Sequence, residues 1–302
     1  MIVHFPRLLL LAGVLLLASC AAAPVAAPTP PTPIPPKPPK IALVLGGGAI
    51  RGFAHIGVIK ILQAENIVPD MVIGTSAGSV AGALYAAGYS GFDLQQMAFE
   101  LDKATVTDWS MFGNGLLKGE ALQAFVNKAA GNKNIEDLPR PFACVATRLD
   151  TGEGVLFQRG NLGMAVRASS SVPGIFQPVT INGVEYVDGG LVSPVPVRYA
   201  RQMGADFIIA VDVSTPPSAA ASAGKMDVLM RTFDIMGKSI RGWELPQADI
   251  VVRPDLSKVS STDIDAKHQA ILEGERAMLM AMPALKAKLQ ARSQPSLQTA
   301  TP

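Results

Sequence analysis

The chain has 302 residues, 49% hydrophobic and 17% charged, a balance that supplies one sizeable apolar core and excludes a disordered chain. A formal charge of +2, with no basic run interleaved with aromatic residues, argues against a nucleic-acid partner. The two cysteines, Cys20 and Cys144, offer no disulfide framework.

Arg7 opens the chain with a short positive region, and Leu8 to Ala18 follow as an apolar run that is too short to span a bilayer. Leu17-Ala18-Ser19-Cys20 closes that run. The arrangement resembles a bacterial lipoprotein signal. That resemblance implies cleavage after residue 19, lipid on Cys20 through a thioether, and, with Ala21 rather than aspartate next, the outer membrane of the cell envelope. Residues 21–40 hold nine prolines and five alanines, so residues 20–40 read as a lipidated cysteine and a semi-rigid polyproline tether. At ~3.1 Å per residue the tether reaches roughly 60 Å.

The folded domain is expected over 41–290. Ile41 to Leu45 is an uncharged run that suits a buried parallel strand, and the loop Gly46-Gly47-Gly48-Ala49-Ile50-Arg51-Gly52 follows it. Phe53, Ile56, Ile59 and Leu62 then recur at helical spacing, and a second strand leads through Ile73 into Gly74-Thr75-Ser76-Ala77-Gly78. Glycine–x–serine–x–glycine between a strand and a helix is a nucleophile elbow, in which a strained turn exposes the serine hydroxyl and small neighbours let the two elements pack closely. Ser76 is the candidate nucleophile, and the uncharged run Ala77 to Ala87 is the buried helix that follows.

The first glycine loop has Ala49 where a dinucleotide fingerprint set on Gly47 and Gly52 needs its middle glycine, and it lacks the Gly-Lys-Ser/Thr ending of a P-loop. Backbone amides of Gly47 and Gly48 are instead read as an oxyanion hole. Three histidines are present. His4 lies in the signal, His55 reads as a packing residue on the first helix, and His268 is the residue that could close a Ser-Asp-His order. Asp188 is the stronger base candidate, because Val184 to Asp188 reads as a strand that ends in a carboxylate, and Gly189 and Gly190 let the chain turn there.

Gly46 to Gly52, Gly74 to Gly78 and Asp188-Gly189-Gly190, in this order and spacing, resemble the patatin-like phospholipase family, and in particular its bacterial branch and the catalytic domain of neuropathy target esterase. Arg167 to Val179 also resembles the family's segment before the aspartate. The resemblance spans about 41–215. It implies a three-layer α/β/α fold with a mainly parallel sheet and hydrolysis of phospholipid or other lipid esters, with no cofactor and no metal. By the same resemblance Ser76 attacks the ester, Asp188 acts as general base, Gly47 and Gly48 hold the oxyanion, and Gly46, Arg51, Gly52, Gly74, Gly78 and Gly189 support them. Two positions depart from the family pattern: Ala49 replaces a loop glycine, and Ser193 stands where many relatives carry asparagine.

Elsewhere Phe92–Asp102 reads as a helix and Trp109–Gly119 as a flap. Phe142–Thr147 reads as a strand holding an inert core thiol, Cys144. Val195–Met203 is expected to be helical, and Phe207–Val213 to be a strand. Lys225–Trp243 reads as an amphipathic helix with Met226, Leu229, Met230, Phe233, Met236, Gly237 and Ile240 on its apolar side, either a core cover or an acyl-chain lid beside the site. Residues 291–302 read as a flexible tail. The competing function is a non-catalytic envelope protein that uses the same fold to bind lipid.

Overall fold

The computed structural model describes residues 38–101, 119–215, 224–260 and 263–293. The expected signal, all but the last residues of the tether, most of the flap and the tail from 294 onward lie outside the described residues.

Eight strands form one mixed, mostly parallel sheet, ordered β5-β6-β3-β2-β1-β7-β8, with β4 also paired to β3. β1 (Ile41–Leu45) lies between β2 (Met71–Thr75) and β7 (Phe207–Val211), parallel to both. β2 pairs in parallel with β3 (Phe142–Arg148), and β7 with β8 (Ile250–Val252). β4 (Gly154–Phe157), β5 (Val179–Ile181) and β6 (Val184–Asp188) pair antiparallel. Strands buried on both faces have no use for polar alternation, which is why β1, β2 and β7 read as continuous apolar runs.

The pleat sends Leu43, Leu45, Val72, Phe142, Cys144, Phe207 and Ile209 to one face. Helices α1 (Ala54–Ala64), α2 (Ala77–Ala86), α3 (Gly91–Glu100), α4 (Glu120–Ala129), α5 (Leu162–Ser169) and α8 (Lys267–Ser293) contribute to that core. Ala42, Val44, Ile73, Ile208 and Ala210 face the other way, against α6 (Val197–Gln202) and Leu245, which follows α7 (Lys225–Glu244). The layers are therefore unequal, one thick and one thin. The C-terminal helix belongs to the thick layer by backbone contact with α1: a Cβ on Gly57 would stand 2.1 Å from the Ile271 carbonyl, and one on Gly274 would stand 2.0 Å from that of Ala54.

One detail of register positions the site. β2 occupies an edge of β3 only as far as Val145, opposite Thr75, and β6 takes the next place with Asp188 opposite Ala146. β4 runs along the other edge of β3 through these same residues, so β2 and β6 must share one edge, meeting end to end. The residue after Thr75 and the last residue of β6 are thereby brought face to face.

Candidate active site

Ser76 caps α2 directly after β2, with φ 52° and ψ −125°, a conformation that a side-chain-bearing residue adopts only under constraint. The constraint comes from below. A Cβ on Gly78 would lie 2.1 Å from the Leu45 carbonyl oxygen, and one on Gly74 would lie 2.5 Å from that of Gly78, so strand and helix backbones touch where only glycine fits. The Ser76 carbonyl accepts from the Ser79 amide at 2.8 Å and from its hydroxyl at 2.6 Å, and the Ser76 amide donates to Ser169 Oγ at 3.0 Å. Ser169 lies within the Arg167–Val179 segment, where nothing in the local sequence marks it as the acceptor for the Ser76 amide.

Asp188 is buried, with 6% exposure, at the end of β6. Its amide donates to Ser171 O at 2.9 Å, and its carbonyl accepts from the Thr147 hydroxyl at 2.9 Å. Oδ1 accepts from the Gly190 amide at 2.7 Å, whereas Oδ2 is buried and makes no directed hydrogen bond. Burial raises the pKa of the carboxyl to about 6, and the hydroxyl of Ser76 is the first of the groups that pull it back down, with the Gly190 amide second. The structure thus brings Ser76 and Asp188 together, with one carboxylate oxygen free to receive a proton. Gly189 allows the tight turn, because a Cβ there would meet the Val145 carbonyl at 2.1 Å.

The glycine loop differs from expectation in one donor. Gly47 does pack beside Ser76, where its Cβ would lie 3.1 Å from that of the serine, but its amide already donates to Pro194 O at 2.9 Å. Gly46 likewise donates to Val211 O at 3.1 Å. Beyond it, the amides of Gly48 and Ala49, at the start of the single helical turn Ala49–Phe53, have no partner among the described residues. Gly47 therefore shapes the loop, and its neighbours on the C-terminal side hold the free donors. Ala49 takes φ 50°, in the left-handed region natural to glycine.

His55 is fully buried, and its Nε2 lies 2.7 Å from Gly46 O. A carbonyl can only accept, so Nε2 carries the hydrogen, and burial lowers the ring's pKa to about 4. This neutral ring ties the glycine loop to α1, the packing role expected of it. His268 is exposed at the start of α8 and stacks on Phe99 of α3, with ring centroids 4.5 Å apart. Cys144 is buried in the core, which pushes its thiol pKa up.

Arg51 is also buried. It donates to Thr215 Oγ1 and lies 3.9 Å from Asp234 of α7, so it joins the glycine loop to that helix. Burial lowers its pKa, and Asp234 opposes the shift. Along α7, Leu229 is half-buried against Gly174, Gly237 packs beside Pro194, and Arg241 lies 3.8 Å from Asp212. Val228, Ile235, Met236 and Trp243 are exposed, Trp243 to 81%. Met236, expected among the inward apolar residues, thus faces out. The side chains of Met226 and Met230, also expected on that side, lie outside the described ones. Among the described residues no helix is long and apolar enough to cross a membrane.

A strained serine, a buried aspartate and a glycine loop at the carboxyl ends of a mostly parallel sheet, with helices on both faces, define a patatin-like α/β architecture. The family model for patatin-like phospholipase matches residues 43–201, more than half of the chain, and the chain belongs to that family. It is 35% identical over 203 residues to an uncharacterized NTE family protein of Mycobacterium tuberculosis, a match covering 66% of this chain and 56% of that one. It is 34% identical over 235 residues to patatin-like phospholipase domain-containing protein 6 of Mus musculus, covering 73% of this chain and 16% of the relative. The chain thus spans about half or less of the length of these curated relatives. Among solved structures VipD from Legionella pneumophila has the same fold, with a TM-score of 0.51 and 12% identity over 82% of this chain and 67% of that one.

Proposed function

We propose that the chain is a serine acyl hydrolase acting on phospholipid, lysophospholipid or related lipid esters through a Ser76–Asp188 dyad. The observation that carries this reading is the buried Asp188 carboxylate, with Oδ2 unpartnered and the Ser76 hydroxyl lowering its raised pKa. The Ser76 oxygen attacks the ester carbonyl carbon while its proton passes to Asp188. The negative charge that develops on the carbonyl oxygen is held by the amides of Gly48 and Ala49. The alcohol leaves with the proton from Asp188. Water then attacks the acyl-serine while Asp188 takes the water's proton, and Asp188 returns that proton to the Ser76 oxygen as the acid leaves.

The signal-like Leu17-Ala18-Ser19-Cys20 supports lipidation at Cys20 and residence in the cell envelope. A lipid anchor raises the effective concentration of the domain at the surface that supplies its substrate. The exposed apolar side chains on α7 support contact of that helix with lipid. Cys20→Ala is expected to move the protein from the membrane fraction to the soluble one with unchanged specific activity on a short-chain ester.

The reading is tested by hydrolysis of p-nitrophenyl butyrate and of phospholipid vesicles by the wild-type protein and Ser76→Ala. Both activities are expected in the wild type and neither in the variant. Vesicle binding without hydrolysis in the wild type would instead support a lipid-binding module.

A further inference from the structure

The segment Val192–Pro194 touches every part of the site. The Thr75 hydroxyl, one residue before Ser76, donates to Ser193 O at 2.9 Å. The Ser193 amide donates to Gly189 O at 2.9 Å, in the turn that follows Asp188. Pro194 O accepts from the Gly47 amide at 2.9 Å. Strand β2, the aspartate turn and the glycine loop therefore share one short stretch as their common anchor. Backbone bonds fix it from three sides, and its one polar side chain, that of Ser193, points elsewhere.

That hydroxyl lies 2.7 Å from both carboxylate oxygens of Glu244, the last residue of α7. Both groups are buried, Ser193 to 0% and Glu244 to 3% exposure. Arg198 Nε stands 3.2 Å from the same carboxylate, and the Arg198 guanidinium also donates to Val192 O at 3.1 Å. A buried carboxylate costs stability unless it is paired and hydrogen-bonded, and here one hydroxyl and one half-exposed cation meet that need. Burial raises its pKa to about 7, against the pull of Ser193 and Arg198.

We infer that Glu244, acting through the Ser193 hydroxyl, is a positioning residue that holds the 192–194 anchor, and with it the relative placement of Ser76, Asp188 and the glycine loop. Glu244 touches neither substrate nor reacting atoms, so its effect is geometric. Misplacement by about 1 Å from a site outside the chemistry can lower turnover by about 10²-fold. The inference rests on the hydrolase reading for its kinetic arm but not for its structural arm.

The test compares wild type, Ser193→Ala, Glu244→Leu and Glu244→Gln in hydrolysis of p-nitrophenyl butyrate and in hydrogen exchange at the Gly47 amide. Glu244→Leu and Ser193→Ala are expected to lose kcat by up to about 10²-fold with KM little changed, because the lost interaction serves geometry rather than binding. Exchange at Gly47 is expected to quicken in both. Glu244→Gln still accepts the Ser193 hydrogen bond and is expected to recover most of the lost kcat. An unchanged kcat in Glu244→Leu, or a loss matching only a lower folded fraction in thermal melts, overturns the inference. If the wild type hydrolyses no ester, the functional reading fails and the exchange arm decides alone: faster exchange at Gly47 in Glu244→Leu supports the positioning role, and unchanged exchange overturns it.

Discussion

The elbow at Ser76 and the helix Lys225–Glu244 border the same site, but they are held there by different physics. At the elbow, backbone meets backbone where a single added carbon would lie 2.1 Å from Leu45 O. Along α7 the attachments are side chains: Leu229 on Gly174, Asp234 facing Arg51 at 3.9 Å, Arg241 near Asp212, and Glu244 on Ser193. Backbone contact has no rotamers through which to relax, whereas side-chain pairs can shift and re-form. The reacting groups therefore sit on the rigid part, and the element next to them, carrying exposed Ile235, Met236 and Trp243, is the adjustable one.

The sharpest way to test the rigid side is Asp188→Asn. Removing the base is expected to lower ester hydrolysis by ~10²- to 10⁴-fold. The same change is expected to raise the melting temperature at neutral pH. Burial raises the carboxyl from 3.8 to about 6, so its favourable contribution is present below the unfolded value and lost as pH rises through the folded one. Replacing the charge with an amide returns stability on the order of 2 kcal/mol above pH 6. Melting curves at pH 5 and pH 8 check the sign, with the larger gain at pH 8.

Paired glycine substitutions address the comparison itself. Gly78→Ala forces a Cβ against Leu45 O and is expected to destabilise by at least about 1–3 kcal/mol in urea titration. Gly237→Ala in α7 meets only the movable Arg241 side chain at 2.8 Å and Pro194 at 3.4 Å. It gains helix propensity of about 1 kcal/mol, so its midpoint is expected to stay near that of wild type or rise. Equal losses at both positions would erase the distinction between the two regions.

The pH–rate profile separates them more finely. With Asp188 as base, kcat/KM is expected to fall by about tenfold per pH unit below its pKa of about 6. Glu244 titrates near 7, yet its role is positional, so Glu244→Gln is expected to leave the limb near pH 6 in place. The smallest effect is expected from Ala49→Gly. Relieving an alanine at φ 50° is expected to add up to about 1 kcal/mol of stability with little change in rate.

The parts of the site legible in the sequence are those fixed by steric exclusion at short spacing. Gly74 and Gly78 flank Ser76 because strand and helix touch there, and Gly189 follows Asp188 because Val145 O leaves no room for a side chain. Such constraints leave residue types at set offsets. The central strands of the parallel sheet could also be read, since buried parallel strands appear as apolar runs, but their order across the sheet could not. Less legible were the pairings across long separations. Nothing local to Glu244 marks it as a partner of Ser193, and it ends a helix whose polar face looks ordinary. A glycine loop announces free amides and so points to Gly47 as an oxyanion donor, but the bond of its amide to Pro194 O depends on a segment that folds back from far along the chain. Helical spacing alone puts Met236 inward, whereas with Gly237 against Pro194 it is exposed.

Hydrolysis by the proposed Ser76–Asp188 dyad depends most directly on the reactivity of one hydroxyl. Treating the folded wild-type protein with a fluorophosphonate and mapping the adduct by peptide mass spectrometry is expected to give a single modified residue, Ser76, with no adduct on folded Ser76→Ala and slowed labelling in Asp188→Asn. An adduct on another serine that persists in Ser76→Ala, or no labelling of a protein that hydrolyses esters, would contradict it.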